Sequence, residues 1–131
     1  MQRIFDFLIE AGFYFLATVE GDSPRIRPFG SQLLFEGRLY VCMGDFKDVY
    51  RQLMENPRIA IGAIGAEGKW MRMTGELVFD ERAEPQQAMY EAIPSLHEIY
   101  DEQGRDLKLA YINNGHVQFH ETPGLIEEFD F

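Results

Sequence analysis

Two short stretches carry side chains whose types and spacing could do chemistry. The first is Arg25-Ile26-Arg27-Pro28-Phe29-Gly30-Ser31-Gln32. Strand side chains alternate faces, so Arg25, Arg27 and Phe29 project together while Ile26 and Pro28 project oppositely. Pro28 has no N–H and Gly30 relaxes the backbone two residues later, which interrupts pairing and frees main-chain groups for a bound ring. Two cations beside such a break read as the floor of a nucleotide site. On this stretch alone, an edge strand protected against aggregation by charge and proline fits equally well. The second stretch is Cys42-Met43-Gly44-Asp45-Phe46-Lys47, which reads as a strand-to-helix turn with a lysine in the first helical turn. Free N–H groups at a helix start, the positive end of its dipole and an ammonium together favour a phosphate monoester. The competing reading has Asp45 cap the helix, Asp48 stand in the capping-box position and Lys47 point into solvent.

Other chemistries find less support. Of the three histidines, His97, His116 and His120, only the last two share a strand face, and no third ligand is indicated by spacing, so no metal site is expected. There is no Gly-x-Ser-x-Gly, Cys42 has no signalled histidine partner, and Gly62, Gly65 and Gly68 do not precede a helix as dinucleotide or P-loop glycines would.

The elements that must position these residues belong to one domain, residues 1–131, long enough to bury a real core. Hydrophobic residues make up 46% and aromatics 14%, which excludes disorder. A net charge of −10 argues against binding to nucleic acid or to an anionic membrane, so a bound phosphate must be held locally. The single Cys42 excludes an internal disulfide and suits a reducing compartment, and a cytoplasmic protein is expected. The N-terminus carries acids within its apolar pattern and reads as neither signal peptide nor anchor.

Residues 2–11 place Ile4, Phe5, Leu8 and Ile9 on one helical stripe, and Gly12 is a natural stop. A strand over 13–20 and a Gly21-Asp22-Ser23-Pro24 loop follow, then a second strand over about 25–35, a Glu36-Gly37 turn and a third strand over 38–43. Helical spacing returns over 46–55 until Asn56-Pro57. Residues 58–66 make a strand that Gly62 and Gly65 mark as bulged or closely approached. Residues 69–81 alternate, with Met71, Met73, Gly75, Leu77 and Phe79 on one face and Trp70, Arg72, Thr74 and Glu76 on the other. A helix over 84–93 ends at Pro94, and a further turn through Leu96, Ile99 and Tyr100 leads to a polar segment over 101–106. Residues 107–121 are a strand pair, or one strand interrupted at Asn113-Asn114-Gly115, and a tail runs from Thr122 to Phe131. Strands joined by short turns with few helices predict an α+β, mainly β chain forming an antiparallel barrel with helical accessories.

The order Arg25-x-Arg27-Pro28, Gly37-x-Leu39-Tyr40-Val41-Cys42, Lys47-Asp48-Val49-Tyr50-x-Gln52-Leu53, Asn56-Pro57 and Trp70-x-Arg72-x-x-Gly75 resembles the pyridoxamine 5′-phosphate oxidase-like FMN-binding split barrels, over about residues 3–80 and more loosely beyond. The resemblance implies a six-stranded antiparallel Greek-key split barrel with flanking helices. It also implies a homodimer holding FMN at the subunit interface. It places Arg27, Pro28 and Phe29 along the flavin, Gln32 at a polar flavin contact, Cys42 and Met43 at the strand end near the ribityl phosphate, Lys47 on the phosphate and Trp70 against the flavin, with Arg72 and Gly75 completing that motif. Position 43 departs from the pattern, because relatives commonly carry threonine there and methionine cannot donate a hydrogen bond. Phe29 and Trp70 can also be read as packed aromatics.

The implied function is that of a small FMN-dependent oxidoreductase. Its substrate and its electron donor, NAD(P)H or a protein, are not disclosed by the sequence. Arg27 is the expected tuner of the flavin and Lys47 the phosphate anchor. Pyridoxamine-phosphate oxidase activity itself is not expected: its basic C-terminal grip has no counterpart in a chain that closes with Glu121, Glu127, Glu128 and Asp130. The alternatives are a non-catalytic flavin carrier or sensor, and a barrel holding a deazaflavin or a haem, with His116 or His120 as haem ligands.

Overall fold

The computed structural model describes residues 1–121 and 124–131. The chain runs α1 (Gln2–Ala11), β1 (Tyr14–Glu20), β2 (Ser23–Phe29), β3 (Leu33–Phe35), β4 (Arg38–Gly44), α2 (Asp48–Glu55), β5 (Arg58–Ile64), β6 (Lys69–Phe79), α3 (Ala83–Ala92), α4 (Leu96–Ile99), a 3-10 turn (Asp101–Gln103), β7 (Leu107–Glu121) and β8 (Gly124–Asp130). All the pairings are antiparallel and form one sheet in the order β2-β1-β5-β6-β7-β4-β3. β8 pairs with the second half of β7. The architecture is α+β and mainly β, as expected, with eight strands rather than six.

The two extra strands have local causes. The single strand expected over 25–35 is divided into β2 and β3, because pairing to β1 ends at Tyr14↔Phe29, just past Pro28. The expected tail contributes β8, and Phe131, just past its end, exchanges backbone hydrogen bonds with Gly115 in both directions. Thr122 and Pro123, where that tail was expected to begin, lie outside the described residues. Residues 107–121 form one strand, not a pair. Asn114 takes a left-handed conformation (φ +52°), and Thr74↔His116 is followed by Glu76↔Asn113, so a bulge absorbs the interruption.

Most of the other boundaries follow their signals. Gly12 ends α1 at φ +81° with its N–H returned to Leu8 and Ile9. Glu36 and Gly37, at φ +52° and +72°, make the two-residue turn between β3 and β4. The β1–β2 loop is tighter than expected, since Ser23 already pairs with Glu20. Neither a bulge nor the close approach of another backbone marks β5: its pairing to β6 runs unbroken, nothing lies close to Gly62, and at Gly65, just past the strand, it is the Phe7 ring that a Cβ would meet, at 2.8 Å.

Two hydrophobic clusters share β4, which is buried on both faces. Leu39, Val41 and Met43 point into the larger one with Ile4 and Leu8 of α1, Tyr14 and Leu16 of β1 and Val49 and Leu53 of α2. Tyr40 and Cys42 point into the smaller one, closed by Met89 of α3, Leu96 and Tyr100. Burying each large apolar side chain contributes roughly 1.5–3 kcal/mol, so β4 anchors both layers and holds its C-terminal end rigidly. Among the described residues, no helix is long and apolar enough to cross a membrane.

Candidate functional site

The ends of β2 and β4 meet at a half-open cleft of about 350 Å³, lined by Arg27, Pro28, Phe29, Gly30, Ser31, Cys42, Met43, Gly44, Lys47, Val49 and Tyr100. Six of the eight residues predicted to hold a cofactor therefore come together. They do so because the β2 break and the end of β4 line one cleft, and the segment after β2 is tied back to β1 by the Tyr14 hydroxyl, which donates to the Ser31 carbonyl at 2.5 Å. Burial pushes the Tyr14 phenol well above its ordinary pKa, so it keeps the proton that it donates to Ser31.

Arg27 enters this cleft already oriented. Its Nη1 donates to the Leu16 carbonyl (3.2 Å) and the Thr18 hydroxyl (2.8 Å), and its Nη2 to Gln52 Oε1 (2.6 Å). The Thr18 hydroxyl also donates to Gln52 Oε1, at 2.6 Å. Three of the five guanidinium N–H groups are thus consumed, leaving Nε–H and one Nη2–H without a partner among the described residues. Arg25, by contrast, is a surface residue paired with Glu20, which also binds Arg51.

Lys47 lies at the N-cap of α2, not in its first turn, because the helix begins at Asp48, two residues later than the sequence pattern placed it. Asp45 makes no cap bond, and Asp48 is turned to Arg51 at 3.5 Å. Asp48 is thus engaged elsewhere, and Lys47 makes no ion pair with either acid among the described residues. Gly44 is closely covered, since a Cβ there would collide with the Phe46 ring.

Cys42 and Met43 contribute differently. The Cys42 thiol is buried in the smaller cluster, and burial pushes its pKa up to about 12 against the opposing Ser31 hydrogen bond, so it is no nucleophile at neutral pH. Met43, 2% exposed, turns its side chain into the larger core. A threonine at this position would place a hydroxyl in that same apolar environment. Tyr100, which the sequence did not single out for the site, closes the cleft from the α4 side; its only signal was apolar spacing with Leu96 and Ile99.

Two predicted residues stand apart from the cleft. Gln32 is buried next to the cleft-lining Ser31, and its Oε1 is the buried side-chain oxygen left without a partner among the described residues. Trp70 lines a separate apolar groove of about 660 Å³ with Phe15, Ile26 and Ile64, stacked on His120 at 4.0 Å with Arg72 beside it. Gly75 is needed for packing, because a Cβ there would meet Ile112 at 2.8 Å. His116 is held between Asp130 (2.5 Å) and Glu128 (3.0 Å), and no histidine lines the cleft. Among the described residues, no group of histidine, cysteine and acidic side chains is arranged to hold a metal.

No family model and no curated protein matches the sequence. Solved structures do. A pyridoxamine 5′-phosphate oxidase-related, FMN-binding protein from Nostoc punctiforme superposes with a TM-score of 0.69 at 17% identity, over 94% of this chain and 84% of that one. A haem-binding protein from Mycobacterium smegmatis superposes with a TM-score of 0.73 at 16% identity, over 95% of this chain but only 55% of that one. These likenesses show the fold. A NimC/NimA family protein from Clostridium acetobutylicum superposes with a TM-score of 0.93 at 36% identity, over 100% of this chain and 92% of that one. With that identity sustained along its whole length, the chain belongs to the NimC/NimA family, and its fold is the one seen in pyridoxamine 5′-phosphate oxidase-related proteins.

Proposed function

We propose that the protein is an FMN-binding oxidoreductase that acts on a small molecule as a homodimer in the cytoplasm. The observation that carries this reading is the cleft itself. One end presents the unpaired Lys47 at a helix start, the other the fixed Arg27 beside the Pro28 break, with an orphaned Gln32 oxygen next to it. These residues fit a ligand with an anionic tail and a flat polar head. Lys47 would hold the phosphate, and the free Arg27 N–H groups and the main chain at Phe29–Ser31 would hold the ring edge. Bound there, the flavin would supply two-electron redox chemistry, which the chain's own side chains lack. The residues of the cleft bind and orient: Arg27 places positive charge beside the ring, and Phe29, Val49 and Tyr100 narrow the space open to water.

A cleft of 350 Å³ lies at the low end of the roughly 300–1,000 Å³ in which ligands of this size are enclosed, so a second wall is needed. The sheet offers one. Phe15, Ile26 and Ile64 are 50%, 69% and 74% exposed around the apolar groove, a patch that monomeric proteins seldom present. A two-fold pairing through this face would bury it and make Trp70 available to a second copy's cleft. The single, buried Cys42 suits the reducing cytoplasm. The acidic β8 supports an activity other than pyridoxamine-phosphate oxidation.

The absorption spectrum of the purified protein, followed by anaerobic addition of NADH or NADPH, tests the reading. A flavin spectrum that bleaches is the expected result. A flavin spectrum that persists with every donor would leave a carrier, a deazaflavin would show its own blue-shifted band, and a colourless protein that rejects added FMN would overturn the proposal. Lys47→Glu should weaken FMN binding at least tenfold, because it replaces an attraction to the phosphate with a repulsion.

A further inference from the structure

A further cation, outside the cleft lining, lies near its Lys47 end. Tyr100 lines the cleft, and five residues later Arg105 brings its guanidinium carbon to 4.8 Å from the centroid of the Phe46 ring. Lys47 Nζ lies 5.3 Å from the same centroid. Phe46 is itself fixed, lying over Gly44 and tilted against Tyr100 at 6.4 Å. The Asp45 N–H donates to the Asp106 carbonyl at 3.4 Å, which ties the 100–106 segment to the turn before α2. An ammonium and a guanidinium are thereby gathered around one half-exposed aromatic ring. A ring face attracts a cation through its quadrupole without cancelling its charge. Neither cation makes an ion pair or a side-chain hydrogen bond among the described residues, although acids outnumber bases 22 to 12 in the chain. Asp45 and Asp106 are adjacent to Phe46 and Arg105 in sequence, yet neither forms an ion pair with these cations among the described residues.

We propose that Arg105 is a second anion-binding residue of the cleft, positioned beside Lys47 by the Phe46 ring, and that the pair takes the dianion of a phosphate monoester. The inference rests on the flavin reading for the source of that monoester, the cofactor's own phosphate. A guanidinium offers planar, two-pronged donation that an ammonium cannot, so the two cations are complementary: Lys47 supplies a point charge and Arg105 orients the phosphoryl oxygens. Tyr100 and Arg105 are brought in by one short segment, so a single loop would both close the cleft and complete its charge.

The test compares FMN with riboflavin, which lacks the phosphate, by fluorescence titration of the wild type, Arg105→Gln, Phe46→Ala and Lys47→Gln. Arg105→Gln should raise the Kd for FMN about tenfold and leave that for riboflavin unchanged. Arg105→Lys should recover part of the loss. Phe46→Ala, which keeps both charges and removes their platform, should cost several-fold in the same preference. An FMN preference undiminished in Arg105→Gln but lost in Lys47→Gln would overturn the role of Arg105 while leaving the flavin reading intact. A wild type that binds neither flavin would sink that reading, and thermal stabilisation by inorganic phosphate then decides the remainder. A phosphate-induced shift abolished by Arg105→Gln would sustain the anion site for another phosphate ligand. No shift in the wild type, or an equal shift in the variant, would overturn it.

Discussion

Gln52 holds Arg27 by an oxygen that is already shared: its Oε1 accepts from the Arg27 guanidinium and from the Thr18 hydroxyl, both at 2.6 Å, at a site where Gln52 is only 3% exposed. The geometry makes a helix residue the support of a cleft residue. Gln52→Leu keeps the volume but leaves a buried hydroxyl and a guanidinium N–H without their acceptor. Leaving such groups unpaired costs about 1–3 kcal/mol, which corresponds to a Tm lower by roughly 3–10 °C. Thermal unfolding of the variant measures it. A change under a degree would mean that Arg27 and Thr18 find other partners.

Met43 is a core residue that touches the cleft, so placing a threonine there should harm stability before it helps binding. Met43→Thr removes apolar volume from the larger cluster and buries a hydroxyl beside Leu39 and Val41. The expected loss is about 2–3 kcal/mol, within the range for large-to-small core changes. Denaturant titration reads it through the midpoint at constant slope. A variant as stable as the wild type would show that the side chain can turn out of the core into the cleft.

The exposed apolar face predicts how the protein assembles. Placing charges there by the double substitution Ile26→Glu and Ile64→Glu should halve the mass seen by light scattering, because both side chains are more than two-thirds exposed and no internal packing depends on them. Flavin affinity should fall with the dimer. A wild type that is already monomeric at micromolar concentration would remove the interface from the account.

His116 makes the attachment of β8 sensitive to pH. The Asp130 carboxylate first, and Glu128 second, raise the imidazole pKa above its ordinary value. A group whose folded pKa is raised contributes stability that is fully present below its unfolded pKa, about 6.5, and is lost as pH rises through the folded value. Glu128 is shifted the opposite way, downward, by Gln118 and then His116, so its contribution is lost as pH falls through its folded pKa. Backbone amides of β8 should therefore exchange fastest, relative to those of β6, at the two extremes, with protection declining on the alkaline side as pH rises above the ordinary histidine value of about 6.5. His116→Gln should abolish the alkaline decline. An unchanged pH profile in that variant would show that backbone pairing alone holds β8.

Much of the local structure could be read from single residues. Gly12, Glu36-Gly37, Pro57 and Pro94 stop or turn the chain where their backbone chemistry requires it. The alternation over 69–79 correctly separates the buried methionines from Trp70 and Arg72. Where the reading failed, the deciding force was not local. The start of α2 lies at Asp48 because Phe46 leaves the helix to pack over Gly44 and against Tyr100. No spacing rule contains that contact. Likewise β8 forms only because β7 outruns β4, leaving the backbone of 116–121 unpaired along one edge.

By itself, then, the sequence determined the α+β class, the resemblance to the split barrels, and the two stretches that form the cleft. Those properties are written in turn residues, alternation and the order of a few motifs, all of which act over a few positions. Only the tertiary structure decided what each side chain does there. Met43 faces the core because β4 is buried on both sides, Arg27 is held by a residue 25 positions away, and Arg105 reaches Phe46 from a segment with no motif at all. Such roles depend on which distant groups the fold brings within a few ångströms, and short-range spacing carries no record of that.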